Sequence, residues 1–317
     1  MKKKLLGNTD LEVAPFAFGG NVFGWTIGKE QSFEILDAFA AAGFNLIDTA
    51  NTYSHWVEGN QGGESEKIIG DWMSKKKNRN EILIATKAGG RGKYWPKPDN
   101  SRKHITEQVE LSLKRLQTDY IDLYQLHYDD GISEPEEVLD TFNELKKQGK
   151  IRWFGASNMS TERLGNYMET AIKLHVEGFC TLQPNYNLYD RQEFEAGYLP
   201  IVQKYELSVI SYYSLASGFL SGKYRKEEDL TKSKRGKDVL KYMNERGFRI
   251  LSALDEISAE LNTTAASVSL SWLSKQPSVA APIVSATTIK QLESIINAVS
   301  IELTDEMLKK LNDASIY

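Results

Sequence analysis

An eight-fold alternation of short apolar strands with amphipathic helices predicts an α/β fold, a (β/α)8 TIM barrel carrying a short N-terminal β-hairpin. Three observations carry that expectation. About eight segments rich in β-branched and aromatic residues are separated by stretches whose apolar residues recur at the helical period. The strand segments have no polar face, so both of their faces are buried, and crossover helices with parallel pairing meet that need. Finally, no Gly-x-Gly-x-x-Gly follows the first strand, because Gly19-Gly20-Asn21-Val22-Phe23-Gly24 has a different spacing, and no Walker loop occurs. An open doubly wound sheet is therefore the weaker alternative.

The elements follow in order. Leu5-Leu6 and Leu11-Glu12-Val13 flank the turn Gly7-Asn8-Thr9-Asp10 and read as a hairpin capping the barrel floor. Strands are expected over 15–19, 45–48, 82–87, 120–127, 151–157, 181–183, 208–212 and 281–286. Helical spacing appears in Phe33, Leu36, Ala40; Ile105, Val109, Leu113, Leu116; Val138, Phe142, Leu145; Leu164, Tyr167, Met168, Ala171; Phe194, Tyr198, Val202; and Leu292, Ile295, Ile296, Val299. Ser101, Thr106 and Ser160 suit helix entries, Pro135 a first turn, and Gly43 and Gly149 helix exits. Two stretches escape the alternation, 88–100 with its glycines and prolines and the charge-rich 214–245, and long irregular segments of this kind are usually functional loops. With no linker in view, residues 1–317 are expected to form one barrel domain.

Composition narrows the function classes. A chain of 317 residues with 41% hydrophobic and 26% charged residues has enough apolar material for a sizeable core, and a net charge of −4 gives no global attraction to nucleic acid or anionic lipid. Lys2, Lys3 and Lys4 precede an apolar run far too short for a signal peptide, and no run could span a membrane. Cys180, the sole cysteine, has no internal disulfide partner, and the reading is cytoplasmic. His55, His104, His127 and Cys180 lack metal-ligand spacing, so no metal is expected.

Position gives the polar residues meaning. Asp48 closes the second strand, Lys87 the third, His127 the fourth, Asn158 follows the fifth, Gln183 closes the sixth and Tyr212 ends the seventh, so all six crowd the C-terminal rim, where barrels do chemistry. Tyr53 follows Asp48 by five residues. An acid, a phenol, an ammonium and an imidazole in one place suit the protonation of a carbonyl oxygen.

At this point the chain resembles the aldo-keto reductase family, almost end to end. Gly7 to Val13 looks like the family's opening hairpin, Leu46-Ile47-Asp48-Thr49-Ala50 with Tyr53 its tyrosine signature, Thr86-Lys87 its lysine strand and Asp122-Leu123-Tyr124-Gln125-Leu126-His127 its histidine strand. Gly155-Ala156-Ser157-Asn158, Gln183-Pro184-Asn185-Tyr186-Asn187 and Leu215 to Tyr224 resemble its cofactor strands. The resemblance implies NADPH, with NADH possible, binding across the rim and passing hydride to a small-molecule aldehyde or ketone. It makes Asp48, Tyr53, Lys87 and His127 the catalytic set, with Tyr53 as general acid. An unperturbed tyrosine has a pKa of about 10, and lowering it by roughly two to three units takes about 3 to 4 kcal/mol of phenolate stabilisation, for which a Lys87 ammonium has the right sign. Asp48 would hold that ammonium charged, and His127 would orient the substrate oxygen.

The implied cofactor contacts are Gly20, Asn21, Asp48, Ser157, Asn158, Gln183, Tyr212, Leu215, Ser217, Leu220, Ser285 and Gln291. Ser157, Asn158 and Gln183 match residues that hold the carboxamide, Tyr212 the ring beneath the nicotinamide, and Gly19, Gly20 and Asn21 would let the cofactor approach the chain. Two positions depart from the family pattern. Thr287 stands where many relatives place Arg or Lys, and Ile295 where they place an asparagine against adenine, so the 2′-phosphate loses a bidentate partner. Lys290 or a residue of 223–237 is the available compensation. Trp25, Trp56, Trp95 and Tyr128 follow strands one to four and are expected to ring an apolar pocket mouth. A competing reading is a redox-sensing accessory subunit that binds the cofactor with vestigial turnover. The sequence carries no signal for oligomeric state or for the identity of the carbonyl compound.

Overall fold

A computed structural model describes residues 2–317. Eight parallel strands form one sheet: β3 (Ala17–Gly19), β4 (Leu46–Asp48), β5 (Leu83–Ala88), β6 (Ile121–Leu126), β7 (Ile151–Ser157), β8 (Thr181–Gln183), β9 (Ser208–Val209) and β10 (Ile283–Val284), in the order β10-β3-β4-β5-β6-β7-β8-β9. The two end strands meet. Val209 N donates to Ser278 O at 2.8 Å, Ala280 N to Val209 O at 2.9 Å and Ile283 N to Ser211 O at 2.8 Å, which closes the ladder into a (β/α)8 barrel. Strands β1 (Lys4–Leu5) and β2 (Glu12–Val13) pair antiparallel as the expected hairpin.

Helices α1 (Lys29–Ala41), α2 (Glu64–Lys76), α3 (Arg102–Leu116), α4 (Pro135–Lys147), α5 (Thr161–Leu174) and α6 (Leu199–Lys204, entered through a π-turn at Glu193–Tyr198) form the successive crossovers. Beyond β9 come α7 (Gly236–Val239), α8 (Glu245–Glu260) and α9 (Ala265–Ser274), and beyond β10 come α10 (Ile289–Ala298) and α11 (Asp305–Ala314). Ser101 and Ser160 cap α3 and α5 by accepting from His104 N and Arg163 N, whereas Thr106 lies inside α3. Gly43 and Gly149 take the left-handed conformation just past α1 and α4.

Strands β9 and β10 are shorter than their apolar runs. Beyond Val209 the pairing continues only as single bonds, Ile210 N to Leu182 O and Tyr212 N to Pro184 O, before Tyr213 turns to φ 53°. Pro282 has no N–H to extend β10 backwards. Helices α2, α8, α9 and α11 lie outside the expected set; α8 and α11 bury an ordinary apolar face, whereas α2 and α9 escape the periodicity for separate reasons. In α2, Gly70 interrupts the pattern because a Cβ there would stand 2.3 Å from Arg115 O of α3. In α9, serines alternate with apolar residues and nearly all are buried, so no polar face marks the helical period.

Alternation along the strands splits the core in two. Outward residues such as Phe18, Ile47, Ile84, Tyr124, Phe154 and Leu182 pack under the helices. Inward residues Ala17, Leu46, Ala85, Leu123 and Ile210 pack on Leu6, Leu11 and Val13 of the hairpin, which seals the floor. Two positions beyond Leu46, Ala85, Leu123, Gly155 and Thr181, the side chains of Asp48, Lys87, Gln125, Ser157 and Gln183 form a polar layer above the apolar one.

The hairpin is tied to the barrel by charges. Asp122, buried in β6, accepts from Ile84 N (2.9 Å), Arg79 Nη2 (2.8 Å) and Arg152 Nη1 (2.7 Å), and Arg152 reaches on to Asp10 in the hairpin turn at 2.7 Å. Asp122→Ala strands one buried N–H and two guanidiniums, and is expected to cost about 3 kcal/mol, read as a lowered urea midpoint. The exposed end of the same chain, Asp10→Ala, is expected to cost about 1 kcal/mol or less.

Candidate active site

Strand register brings Asp48 and Lys87 together at the rim, and Tyr53 and His127 join them from the chain just beyond β4 and β6. Lys87 Nζ lies 2.6 Å from Asp48 Oδ2, donates to Thr49 O at 2.7 Å and stands 3.1 Å from the Tyr53 hydroxyl. Lysine and aspartate are essentially excluded from solvent. The second carboxylate oxygen of Asp48 accepts from Gln183 Nε2 at 2.9 Å and from Gln125 Nε2 at 3.4 Å, so the buried acid has donors on both oxygens. Strand β5 runs one residue past Lys87, to Ala88, and His127 lies just beyond β6, held by its N–H to Ala88 O at 2.7 Å.

Tyr53 returns over Lys87 because the chain after β4 coils tightly. Asn51 N bonds Lys87 O, Tyr53 N bonds Ala50 O, and Ser54, at φ 70°, donates its hydroxyl to Phe23 O at 2.7 Å. The Tyr53 and His127 rings meet edge to face at 5.9 Å. One edge of the imidazole is sealed: Nδ1 is buried without a hydrogen-bond partner, and a Cβ on Gly90 would stand 2.6 Å from it. Glycine is needed there for the imidazole to fit.

Electrostatics set the protonation states. Burial, joined by the Lys87 charge, holds the His127 imidazole well below its usual pKa, so the ring is neutral. Burial also pulls the Lys87 ammonium down, opposed by the Asp48 carboxylate. For Tyr53 the expected acidification is reversed. Burial and then the Asp48 charge push the phenol well above its usual value, with Arg235 the opposing cation. The lysine and aspartate together present no net charge to the hydroxyl, so desolvation wins and the phenol keeps its proton.

The other anticipated residues fall around this centre. Ser157 donates to Gln183 O at 2.8 Å, and Asn158, at φ 45°, donates to His127 O (2.8 Å) and accepts from the Tyr212 hydroxyl (2.9 Å). Ser285 donates to Gly19 O at 2.8 Å. With its amide oriented to satisfy its neighbours, Asn21 donates to Gly19 O and to Ser285 Oγ (3.0 Å) and accepts from Arg235 Nη2 at 2.5 Å. Gly19 and Gly20 are explained by protein packing, since Cβ atoms there would stand 2.6 Å from Ser285 Oγ and 2.8 Å from Ser65 Oγ. Leu215 is half-buried, Ser217 sits at φ 57°, and the Leu220 side chain lies in the core. Gln291 Oε1 accepts from Thr287 N and Oγ1, while Ile295 is buried in the core and offers adenine no polar group.

Aromatic rings surround the mouth. Trp25 and Trp56 meet edge to face at 5.5 Å, Trp56 lies 6.3 Å from Tyr53, and Tyr128 packs on His127 at 4.8 Å. Trp95 instead packs on His104 at 5.4 Å. Three contributors were not singled out in the sequence. Gln125 was visible in principle, two residues after inward Leu123. Tyr213 was not, and Arg235 was anticipated only as a member of the stretch 223–237, because both sit on irregular chain whose path no periodicity encodes; Arg235 reaches the face of Trp25 at 5.3 Å, and Lys234 bonds Trp25 O at 3.0 Å. Among the described residues no cluster of three potential metal ligands occurs, and no helix is long and apolar enough to cross a membrane.

A barrel with this tetrad at its C-terminal rim defines a class of oxidoreductase, and comparison with known proteins specifies it. A sequence model of the aldo/keto reductase family matches residues 15–316, and the chain belongs to that family. It is 32% identical to the uncharacterized oxidoreductase YqkF of Bacillus subtilis, over 98% of this chain and 95% of that one. It is 30% identical to a probable voltage-gated potassium channel subunit beta of Oryza sativa, over 98% and 95%. Among solved structures it resembles the holo form of the aldo-keto reductase AKR11C1 from Bacillus halodurans, with a TM-score of 0.80, 28% identity, and coverage of 100% of this chain and 97% of that one.

The sealed imidazole yields a pH prediction. An unfolded histidine takes up a proton near pH 6.5, whereas His127 in the fold does so only at much lower pH, so the folded state loses stability as pH falls below 6.5. Nitrogen-15 NMR of histidine-labelled protein at pH 5.5 is expected to show a neutral-ring signal that disappears in His127→Gln; a His127 ring already protonated at pH 5.5 contradicts this assignment.

Proposed function

We propose that this chain is an NADPH-dependent reductase that converts aldehydes or ketones to alcohols, with Tyr53 as general acid. The observation that carries the reading is one ammonium, Lys87, bonded at once to a buried carboxylate, a backbone carbonyl and the phenol of Tyr53 beneath an aromatic mouth. When bound, the nicotinamide supplies the hydride. All other roles fall to side chains of the barrel.

The donor set fits that cofactor. Gln183 has an amide oxygen without a protein donor among the described residues, Ser157 and Asn158 lie beside it, and Tyr212 is half-buried with its hydroxyl tied to Asn158, a fixed platform for a flat ring. Arg235 adds a guanidinium with no carboxylate partner among the described residues, suited to phosphate. His127, neutral and sealed at Nδ1, presents its Nε2 edge to the carbonyl oxygen as a hydrogen-bond donor and holds no ionisable proton to give. That leaves Tyr53 as the acid. Its high resting pKa keeps the proton in place until negative charge appears on the substrate oxygen, and Lys87 stabilises the phenolate formed by the transfer. Asp48 keeps Lys87 charged and aimed. The single thiol, Cys180, is pushed up to about 12 by burial and is inert, in keeping with a cytoplasmic enzyme.

NADPH is the preferred cofactor in this reading, with NADH accepted, because Thr287 is occupied by Gln291 and gives the 2′-phosphate no cationic clamp. The second reading, a redox-sensing accessory subunit, draws on the similarity to the channel subunit of Oryza sativa. The intact tetrad favours turnover.

Two measurements check these assignments. Tyr53→Phe is expected to lower reduction of an aldehyde panel by about 100- to 10,000-fold while NADPH affinity stays within a few-fold; wild-type protein that binds NADPH without turnover would favour the accessory role. Thr287→Arg is expected to tighten NADPH about tenfold and leave NADH unchanged in fluorescence titration.

A further inference from the structure

Nine of the chain's eleven arginines donate to carboxylates or backbone carbonyls of the protein. The remaining two, Arg91 and Arg235, both stand at the mouth of the active site, and each is held over an aromatic ring, Arg91 over Tyr128 at 5.6 Å and Arg235 over Trp25 at 5.3 Å. Arg235 has the Asn21 amide as a neutral acceptor and lies on the side of the cofactor residues. Arg91 has no acceptor at all among the described residues.

Stacking on a ring uses the face of a guanidinium and leaves its N–H edge free, which is the edge that grips a carboxylate with two parallel hydrogen bonds. The surroundings of Arg91 keep that edge from being quenched. Asp99 accepts from Ser101 N, Asp129 is paired with Arg163, and Asp130 accepts from Asn100, Ile132 and Ser133. The loop 88–100 carries three cations, Arg91, Lys93 and Lys97, against the single carboxylate of Asp99, in a chain whose net charge is −4. Its neighbours along the chain line the site: Gly90 abuts the His127 ring, and Gly92 abuts Thr52, next to Tyr53. Tyr128 connects the two ends, with its ring under Arg91 and 4.8 Å from His127. The Tyr128 ring thus touches both the His127 imidazole and the Arg91 guanidinium, and a substrate lying along it would meet both.

We propose that Arg91 is a specificity-determining residue that selects carbonyl substrates carrying a carboxylate or similar oxyanion at the end remote from the reacting group. This rests on the reductase reading and adds the chemical class of substrate. Arg91 takes no part in the proton or hydride transfer; it lowers KM for anionic substrates and leaves neutral ones alone.

The test pairs 4-formylbenzoate with its neutral methyl ester, which share ring and aldehyde. Wild-type protein is expected to show a KM about tenfold lower for the anion, a preference that 0.5 M NaCl erodes. Arg91→Ala is expected to raise KM for 4-formylbenzoate about tenfold, with the ester within about twofold and NADPH affinity unchanged, and Arg91→Lys is expected to recover part of the loss. No preference in wild type, an equal loss for both aldehydes, or weakened NADPH binding each overturns the proposal, the last by assigning Arg91 to the cofactor. A binding measurement separates this proposal from the reductase reading: 4-(hydroxymethyl)benzoate, titrated by tryptophan fluorescence quenching in the presence of NADP, needs no turnover. Tighter binding to wild type than to Arg91→Ala supports the anion site even if neither aldehyde is reduced, and equal binding refutes it.

Discussion

A lysine and an aspartate, both excluded from water and 2.6 Å apart at the centre of the barrel, constrain everything around them. Desolvating two such charges costs several kcal/mol each, and only close pairing with full hydrogen bonding offsets it. The barrel meets that demand through register. Asp48 takes Gln183 and Gln125 on one oxygen and Lys87 on the other, and Lys87 spends its remaining donors on Thr49 O and Tyr53. Below this layer the barrel is apolar and plugged by Leu6, Leu11 and Val13, so no water enters from the floor to screen the pair. The distant hairpin thus contributes to the strength of the interactions at the rim.

Much of this was legible in the chain itself, for a physical reason. Strand ends are marked by the change from apolar to polar residues, and in a parallel barrel all C-terminal strand ends share one rim, so Asp48, Lys87, His127, Ser157 and Gln183 could be gathered before any coordinates. The hairpin was legible from its turn residues. Helices α8 and α11 were passed over although Ile250, Leu254 and Ile257, and Met307 and Leu311, keep the helical period; the rest of what stayed hidden lies where neither period applies. Helix α9 is buried all round, α2 contains a glycine demanded by its neighbour, and Arg235 arrives on a segment whose course depends on contacts with Trp25 and Asn21. The protonation of Tyr53 was misjudged because a charge was counted without its partner: Lys87 alone acidifies a phenol, whereas Lys87 with Asp48 in a dry cavity does not.

Backbone strain concentrates at the same rim. Ser54, Asn158, Tyr213, Ala216 and Ser217 all occupy the left-handed region without being glycine, a conformation that costs of order 1 kcal/mol or more and persists where surrounding contacts over-determine it. Three of the five are tied by side-chain bonds. Ser54 holds Phe23 O, Asn158 bridges His127 and Tyr212, and Asn187 holds Tyr213 O at 3.0 Å. These bonds fix the course of the chain around the site.

The contact between Gly90 and the His127 ring limits how the site can be reset. An imidazole with one nitrogen walled in by backbone cannot ferry hydrogen ions from one side to the other, as relay histidines do. In the proposed reaction, a phenol that has surrendered its hydrogen is therefore replenished through the lysine beside it or by solvent entering through the mouth. Of those two routes, only the one through the mouth bypasses the buried lysine and its aspartate.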